Sequence, residues 1–308
     1  MIGVDFGGTQ IKAGIVEGGE ILRSHSVPTG AGLAPSAVLD RIALAVHALD
    51  EQPSAVGLVI PGEVDATGRC WRLPNVPGFE GVPIASELSA RVRCPVVVEN
   101  DATAAALGEL LHGHGQRFPS FVLFTLGTGV GGGVVIDGRV RRGQYGFAGE
   151  LGHIMLDRSA DAWLCNCGLR GCLEAYAGTK ALLRRYSELG GVASEVRDIA
   201  LAARRGERTG LEPFEMMGRA LGQAVAGIQN LLDLDAIVFS GGISASFDLI
   251  EPSLRQALQE RAFAPPLATI PLLVSELSDK AGVIGAAHLT RLRQSLPAAD
   301  RESRSSSA

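Results

Sequence analysis

One run near the middle of the chain gathers an imidazole, three thiols and two carboxylates: Gly149-Glu150-Leu151-Gly152-His153, then Cys165-Asn166-Cys167-Gly168-Leu169-Arg170-Gly171-Cys172-Leu173-Glu174. The Cys-x-Cys-x4-Cys spacing with a preceding His offers a Cys3His set, tetrahedral and with no open position. It predicts a structural zinc site on His153, Cys165, Cys167 and Cys172. Glu150, His153 and Glu174 add carboxylate acceptors and an imidazole, the groups that several hydroxyls of one polyol require. If one ring nitrogen of His153 holds the metal, the other needs a partner, and a substrate hydroxyl can fill that role. Metal and polar pocket would then share walls.

A second chemistry lies in the Gly/Thr turns. Asp5-Phe6-Gly7-Gly8-Thr9 follows an apolar run, its glycines letting backbone N–H groups converge on an anion while Thr9 adds a hydroxyl. Asp5, at a strand end beside a phosphate turn, is placed to hold Mg2+ directly or through water, and Lys12 offers a positive charge. Gly127-Thr128-Gly129, with Gly131 to Gly133, repeats the design as a second clamp on a nucleoside triphosphate. It has neither the Gly-Lys-Ser/Thr ending of a Walker A loop nor a dinucleotide fingerprint. Gly241-Gly242, after another apolar strand, is a third close-approach turn, assigned to adenosine.

Asn100-Asp101 falls where a strand gives way to a helix, so one reading is a helix cap. The other makes Asp101 the acceptor of a proton from a substrate hydroxyl attacking the terminal phosphorus, with Asn100 orienting that substrate. Phosphoryl transfer asks little more of a protein than positioning, charge neutralisation and such a base.

These residues need elements to carry them. Ile2 to Phe6, Ile11 to Glu17 and Glu20 to Val27 alternate as a three-stranded meander turned at Gly18-Gly19. Helical periodicity follows over Ala37 to Leu49, a buried strand over Ala55 to Ile60, and a Pro/Gly-rich polar loop through Pro83. Pro95 to Glu99 reads as a strand and Ala102 to Leu111 as a helix. Phe121 to Val140 repeats the opening strand-turn-strand-turn-strand design, so the chain looks internally duplicated. Helices are predicted over Leu182 to Leu189, Glu195 to Arg204 and Pro213 to Leu232, and strands over Ala236 to Phe239 and Leu272 to Val274.

With 308 residues, 46% of them hydrophobic, two domains are expected and a substantial core can form. A net charge of -5 gives no footprint for nucleic acid. The N-terminus lacks a basic leader and no apolar run spans a bilayer, so a cytoplasmic protein with no membrane partner is expected. The odd number of cysteines, 5, suits metal ligation better than disulfides, with Cys70 and Cys94 as inert packing.

Taken together, Asp5 to Thr9, Asn100-Asp101, Gly127 to Gly133, Gly149 to His153 and Cys165 to Glu174 resemble the ROK family of repressors, open reading frames and sugar kinases, and within it the bacterial glucokinases. The resemblance covers residue 2 to about residue 290. It implies an α/β fold of two actin-like (ribonuclease H-like) domains around an ATP cleft: a small one over 1–113, completed by a helix near 286–296, and a larger one over 114–285, with 297–308 a disordered tail. It also implies ATP with Mg2+ and a hexose as substrates, structural zinc, and a homodimer or homotetramer. Asp101 matches the catalytic base, Glu150, His153 and Glu174 the sugar ligands, and His153 with the three cysteines the zinc set. Gly62 and Asn75 match loops that approach the sugar. Gln10 stands where many members have Lys, and Phe79 where glucokinases often have Trp. The expected activity is a glucose 6-phosphotransferase; an N-acetylmannosamine or other hexose kinase and a non-catalytic sugar sensor are the alternatives.

Overall fold

The computed structural model describes residues 1–294 except Ala31, Asn75, Ser278 and Asp279, and the backbone only for 291–294. Two of the expectations, the sugar-loop role of Asn75 and the tail at 297–308, lie outside the described residues. In chain order the strands and helices are β1 (Ile2–Phe6), β2 (Gln10–Glu17), β3 (Glu20–Pro28), α1 (Pro35–His47), β4 (Val56–Ile60), β5 (Glu63–Val64), β6 (Cys70–Arg72), α2 (Ile84–Val92), β7 (Val96–Asn100), α3 (Asp101–His112), β8 (Phe121–Leu126), β9 (Val130–Ile136), β10 (Arg139–Arg141), α4 (Glu174–Ala177), α5 (Thr179–Glu188), α6 (Val196–Arg204), α7 (Arg208–Leu232), β11 (Ala236–Ser240), α8 (Phe247–Arg261), β12 (Leu272–Val274) and α9 (Ala281–Gln294).

The duplication read from the sequence is real in the sheets. One runs β3-β2-β1-β4-β7 and the other β10-β9-β8-β11-β12, each an antiparallel meander followed by two parallel strands. The described residues form two compact units: those within Met1–Arg117, Gly133–Gly149 and Asp279–Ala308 make the first, those within Phe118–Gly132 and Glu150–Ser278 the second. The sequence reading set one boundary after residue 113; in the structure Gly133–Gly149 also belongs with the first unit.

In the first unit the strand period of two sorts the core. Leu58 and Ile60 of β4 pack with Val4, Phe6 and the apolar faces of α1 and α2, which include Ile42 and Leu88. Val59, between them, joins Ala104, Leu107, Ala286 and Leu289 under α3 and α9. That second face is lined with small residues so that helices approach closely. A Cβ on Gly57 would lie 1.6 Å from the Ala286 carbonyl oxygen, and one on Gly285 would lie 1.8 Å from that of Ala104. Only glycine permits α9 to sit between β4 and α3 at that distance.

The second unit is centred on parallel strands β8, β11 and β12, with Phe124 and Phe239 stacked at 5.7 Å and Phe239 tilted against Phe247 at 4.8 Å. The sequence reading gave no element for α2 or α8, and two further departures have a local cause. The Pro/Gly-rich stretch contains the β5–β6 ladder, too short for its alternation to show, closed by Asp65 Oδ1 accepting the N–H groups of Thr67 and Arg69. And α7 begins at Arg208 rather than Pro213. Proline favours a helix start, but here Arg208 pairs with Glu212 and Glu215 and carries the first turns through it. Among the described residues no helix is long and apolar enough to cross a membrane.

Candidate functional site

The β7–α3 junction is the tightest polar construction of the first unit. Asn100 caps α3: its Oδ1 accepts the N–H groups of Ala102 (2.9 Å) and Thr103 (3.1 Å), as its extended φ, ψ of -63° and 145° allow. Its Nδ2 donates to the Gly62 carbonyl at 3.1 Å. The cap and the Gly62 loop, chosen separately in the sequence, therefore meet at one side chain. Asp101 is the first residue of α3, half-buried, with Oδ1 accepting the Ala102 N–H at 2.8 Å. The sequence reading missed Glu99, whose side chain is 2% exposed and forms an ion pair with Arg142. Burial pushes the Glu99 carboxyl up, against the opposing pull of Arg142 and the Asn100 N–H. Nothing in the Val96–Glu99 run signals this, because its partner lies in a distant segment.

In the first hairpin, the Gly7 N–H is committed to the Gln10 carbonyl at 2.9 Å, and Thr29 Oγ1 donates to the Gly7 carbonyl at 2.6 Å. Gly7 thus closes the turn, and the exposed groups there are Gly8 and Thr9. Asp5 pairs in register with Lys12 across β1 and β2. Burial pushes the Asp5 carboxyl up while Lys12 pulls it down, burial being the larger effect.

In the second unit the glycine hairpin and the cysteine segment are joined through Glu174. Its Oε2 accepts the Val130 N–H at 3.1 Å, and its Oε1 lies 3.3 Å from Asn166 Nδ2 and 3.5 Å from Cys165 Sγ. Gly127 is held in turn by Thr179, whose N–H and Oγ1 both donate to its carbonyl at 2.9 Å. Gly152 lies against the same hairpin; a Cβ there would be 2.1 Å from the Val130 carbonyl oxygen.

The four predicted metal ligands converge. His153 Nδ1 is 3.7 Å from Cys165 Sγ, Cys167 Sγ is 3.7 Å from Cys172 Sγ, and all four donor atoms lie within 4.8 Å of one another. Sulfurs at about 2.3 Å from a tetrahedral ion stand about 3.8 Å apart, and a sulfur and an imidazole nitrogen about 3.6 Å apart. The donor set fits such an ion. Burial pushes the Cys165 and Cys172 thiols up; for Cys167 burial is outweighed by the Leu169 N–H and the neighbouring sulfurs, which hold it down. The other His153 nitrogen, Nε2, faces Glu150 Oε2 at 3.8 Å. The imidazole thus stands between the thiol cluster and an exposed carboxylate.

Gly127 and Gly242 also come together, lining with Thr179, Glu195, Arg197 and Ser246 a cavity of ≈ 470 Å³, within the size range of small-molecule sites. The sequence reading placed Gly127 in the phosphate clamp and Gly242 in the adenosine turn, and gave no role to Glu195 or Arg197, which look like ordinary helix-start and surface residues. Gly241, with φ of 86° and a Cβ position 2.5 Å from the Leu126 carbonyl oxygen, turns the chain at its edge.

A duplicated meander-plus-parallel sheet, carrying a Gly/Thr turn in each copy, defines the actin-like sugar-kinase class of fold. The sequence matches the ROK family over residues 1–293, and the chain belongs to that family. It is 36% identical to the glucokinase of Streptomyces coelicolor, over 94% of this chain and 97% of that protein. It is 32% identical to the N-acetyl-D-glucosamine kinase of Vibrio cholerae, over 93% and 98%. The crystal structure of a ROK glucokinase from Streptomyces griseus in complex with glucose and AMPPNP superimposes with a TM-score of 0.81 at 35% identity, covering 95% of this chain and 99% of that one.

Proposed function

We propose that the protein is an ATP-dependent hexose kinase that transfers the γ-phosphate to the 6-hydroxyl of glucose. The likeness to the glucose- and AMPPNP-bound Streptomyces griseus enzyme along nearly the full length of both chains carries this reading. In it, Asp101 accepts the proton of the 6-hydroxyl as that oxygen attacks phosphorus, so its carboxylate must be ionised and fixed. The Ala102 N–H on its Oδ1 holds it at the start of the capped helix, and the Asn100 amide orients the sugar beside Gly62. Glu150 and Glu174 accept from the remaining hydroxyls and His153 donates to them, with His153 Nε2 facing Glu150 Oε2 at 3.8 Å. In the first unit Gly8, Thr9 and Lys12 are assigned to phosphate, and Asp5 would hold the Mg2+ that arrives with ATP; in the second unit Gly127, Thr128 and Gly129 are assigned to phosphate. The adenosine takes the cavity lined by Gly127 and Gly242.

Zinc is the ion we assign to His153, Cys165, Cys167 and Cys172, since a closed Cys3His set suits it. Its contribution is structural: it fixes the cysteine segment and the plane of the His153 ring. The protein is further proposed to be a cytoplasmic homo-oligomer that binds neither nucleic acid nor membrane.

The test is ADP release with ATP and Mg2+ across glucose, mannose, fructose, N-acetylglucosamine and N-acetylmannosamine, with Asp101→Asn as the blank. Glucose should give the highest kcat/KM. The blank should lose about 10²- to 10⁴-fold in kcat, the usual contribution of a general base, while retaining sugar affinity. The Vibrio cholerae relative favours a second reading, an N-acetylhexosamine kinase, which a higher kcat/KM for N-acetylglucosamine would establish.

A further inference from the structure

Glu99 is fully buried and ion-paired with Arg142, which is partly exposed, yet such a pair is poor evidence of stabilisation. Desolvating both charges costs about as much as their attraction returns, and well-packed apolar replacements are often as stable or more so. Its geometry suggests a different use. Glu99 divides its oxygens: Oε2 meets the Arg142 guanidinium, and Oε1 accepts the backbone N–H of Asn100 at 3.0 Å. Asn100 in turn holds the first turn of α3 through Oδ1 and the Gly62 carbonyl through Nδ2. Arg142 therefore anchors, through one carboxylate, the peptide immediately before Asp101. Its own segment, Gly133–Gly149, is built into the same unit, where Phe147 packs on Trp71 at 5.5 Å and Gly133 lies against α3.

We propose that the Glu99–Arg142 pair is a positioning strut for the Asn100–Asp101 junction, so that Glu99 and Arg142 govern turnover without touching substrate. The inference rests on the reading of Asp101 as the base. Both oxygens of Glu99 are used, one on each side of the strut, and an apolar pair of equal volume would leave the Asn100 N–H without this acceptor. A misplacement of the base by about 1 Å is enough to cost about 10²-fold in rate.

The experiment compares Arg142→Lys, Glu99→Gln and the combined Glu99→Gln/Arg142→Met with the parent and with Asp101→Asn, measuring kcat, KM for glucose and ATP, and glucose affinity by calorimetry. The combined variant buries no lone charge, so it stays folded where a single Arg142→Met would strand the carboxylate. The strut predicts about a 10- to 100-fold loss of kcat in the combined variant with both KM values within about threefold, and recovery of most of that loss in Arg142→Lys, which keeps the ion pair. A folded combined variant with parental kcat, or one whose KM rises while kcat holds, overturns the proposal even though Asp101→Asn is inactive. Parental turnover in Asp101→Asn would instead remove the base reading, and the strut's purpose with it.

Discussion

Replacing Asn100 by alanine separates the structural work of this residue from its assigned work on substrate. Its Oδ1 serves two N–H groups, but that of Ala102 also has Asp101 Oδ1 at 2.8 Å, so truncation strands chiefly the N–H of Thr103. Loss of a cap of this kind costs about 1 kcal/mol. The Gly62 carbonyl, on a buried residue, loses its Nδ2 donor as well. An acceptor left without a donor in such a place costs about 1–2 kcal/mol more, for a total of about 2–3 kcal/mol. Asn100→Ser restores the cap oxygen but is too short to reach Gly62, so it should recover about 1 kcal/mol of the loss. Urea unfolding at a common m-value gives the sizes, and hydrogen exchange at Thr103 shows whether the first turn of α3 is where protection is lost. A parental midpoint for Asn100→Ala, to within about 0.5 kcal/mol, would refute the reasoning, as would an Asn100→Ser variant no better than alanine.

Asp5→Asn should make the protein more stable and the kinase inactive. Burial raises the folded-state pKa of Asp5, so the folded chain binds the proton more tightly than the unfolded one, and stability falls as pH rises from the ordinary carboxylate value through the raised one. The gain from Asp5→Asn is therefore present at neutral pH and absent below the ordinary value, which a series of urea midpoints against pH will show. Cys167→Ser should lower the zinc content of the purified protein and raise the KM for glucose together; a zinc-depleted variant with parental KM would separate metal from pocket. Gly152→Ala drives a Cβ against the Val130 carbonyl, and should cost about 1–3 kcal/mol by calorimetry while weakening glucose binding.

What was legible in the sequence divides along a physical line. The meander, with its strands at Ile2–Phe6, Gln10–Glu17 and Glu20–Pro28, shows because alternation persists over several residues and turns carry glycines. The Cys3His cluster shows because its ligands are local and their spacing alone brings the sulfurs together. Glu99 did not show: a carboxylate at a strand end reads as solvated until Arg142 is seen beside it. Gly7 showed as an anion turn, yet its N–H is committed to Gln10, a choice made by turn geometry that composition does not encode. Phe79, read as a departure from a Trp position, packs at 5.4 Å on Phe6 and is fully buried, so its size answers to the core of the first unit.

The helix Ala281–Gln294 has a consequence for how the chain is made. It completes the sheet begun at Ile2, lying in the groove left by Gly3 and Gly57. On the ribosome, β1 to β4 emerge before this helix and wait, that face covered in part by α3, while the second unit is synthesised. That unit, contiguous apart from Gly133–Gly149, has every one of its strands and helices available before the first can close. The order of translation is then the reverse of the order of completion, and a circular permutant that places the helix ahead of β1 should shorten the interval in which a nascent chain offers its half-covered sheet to chaperones.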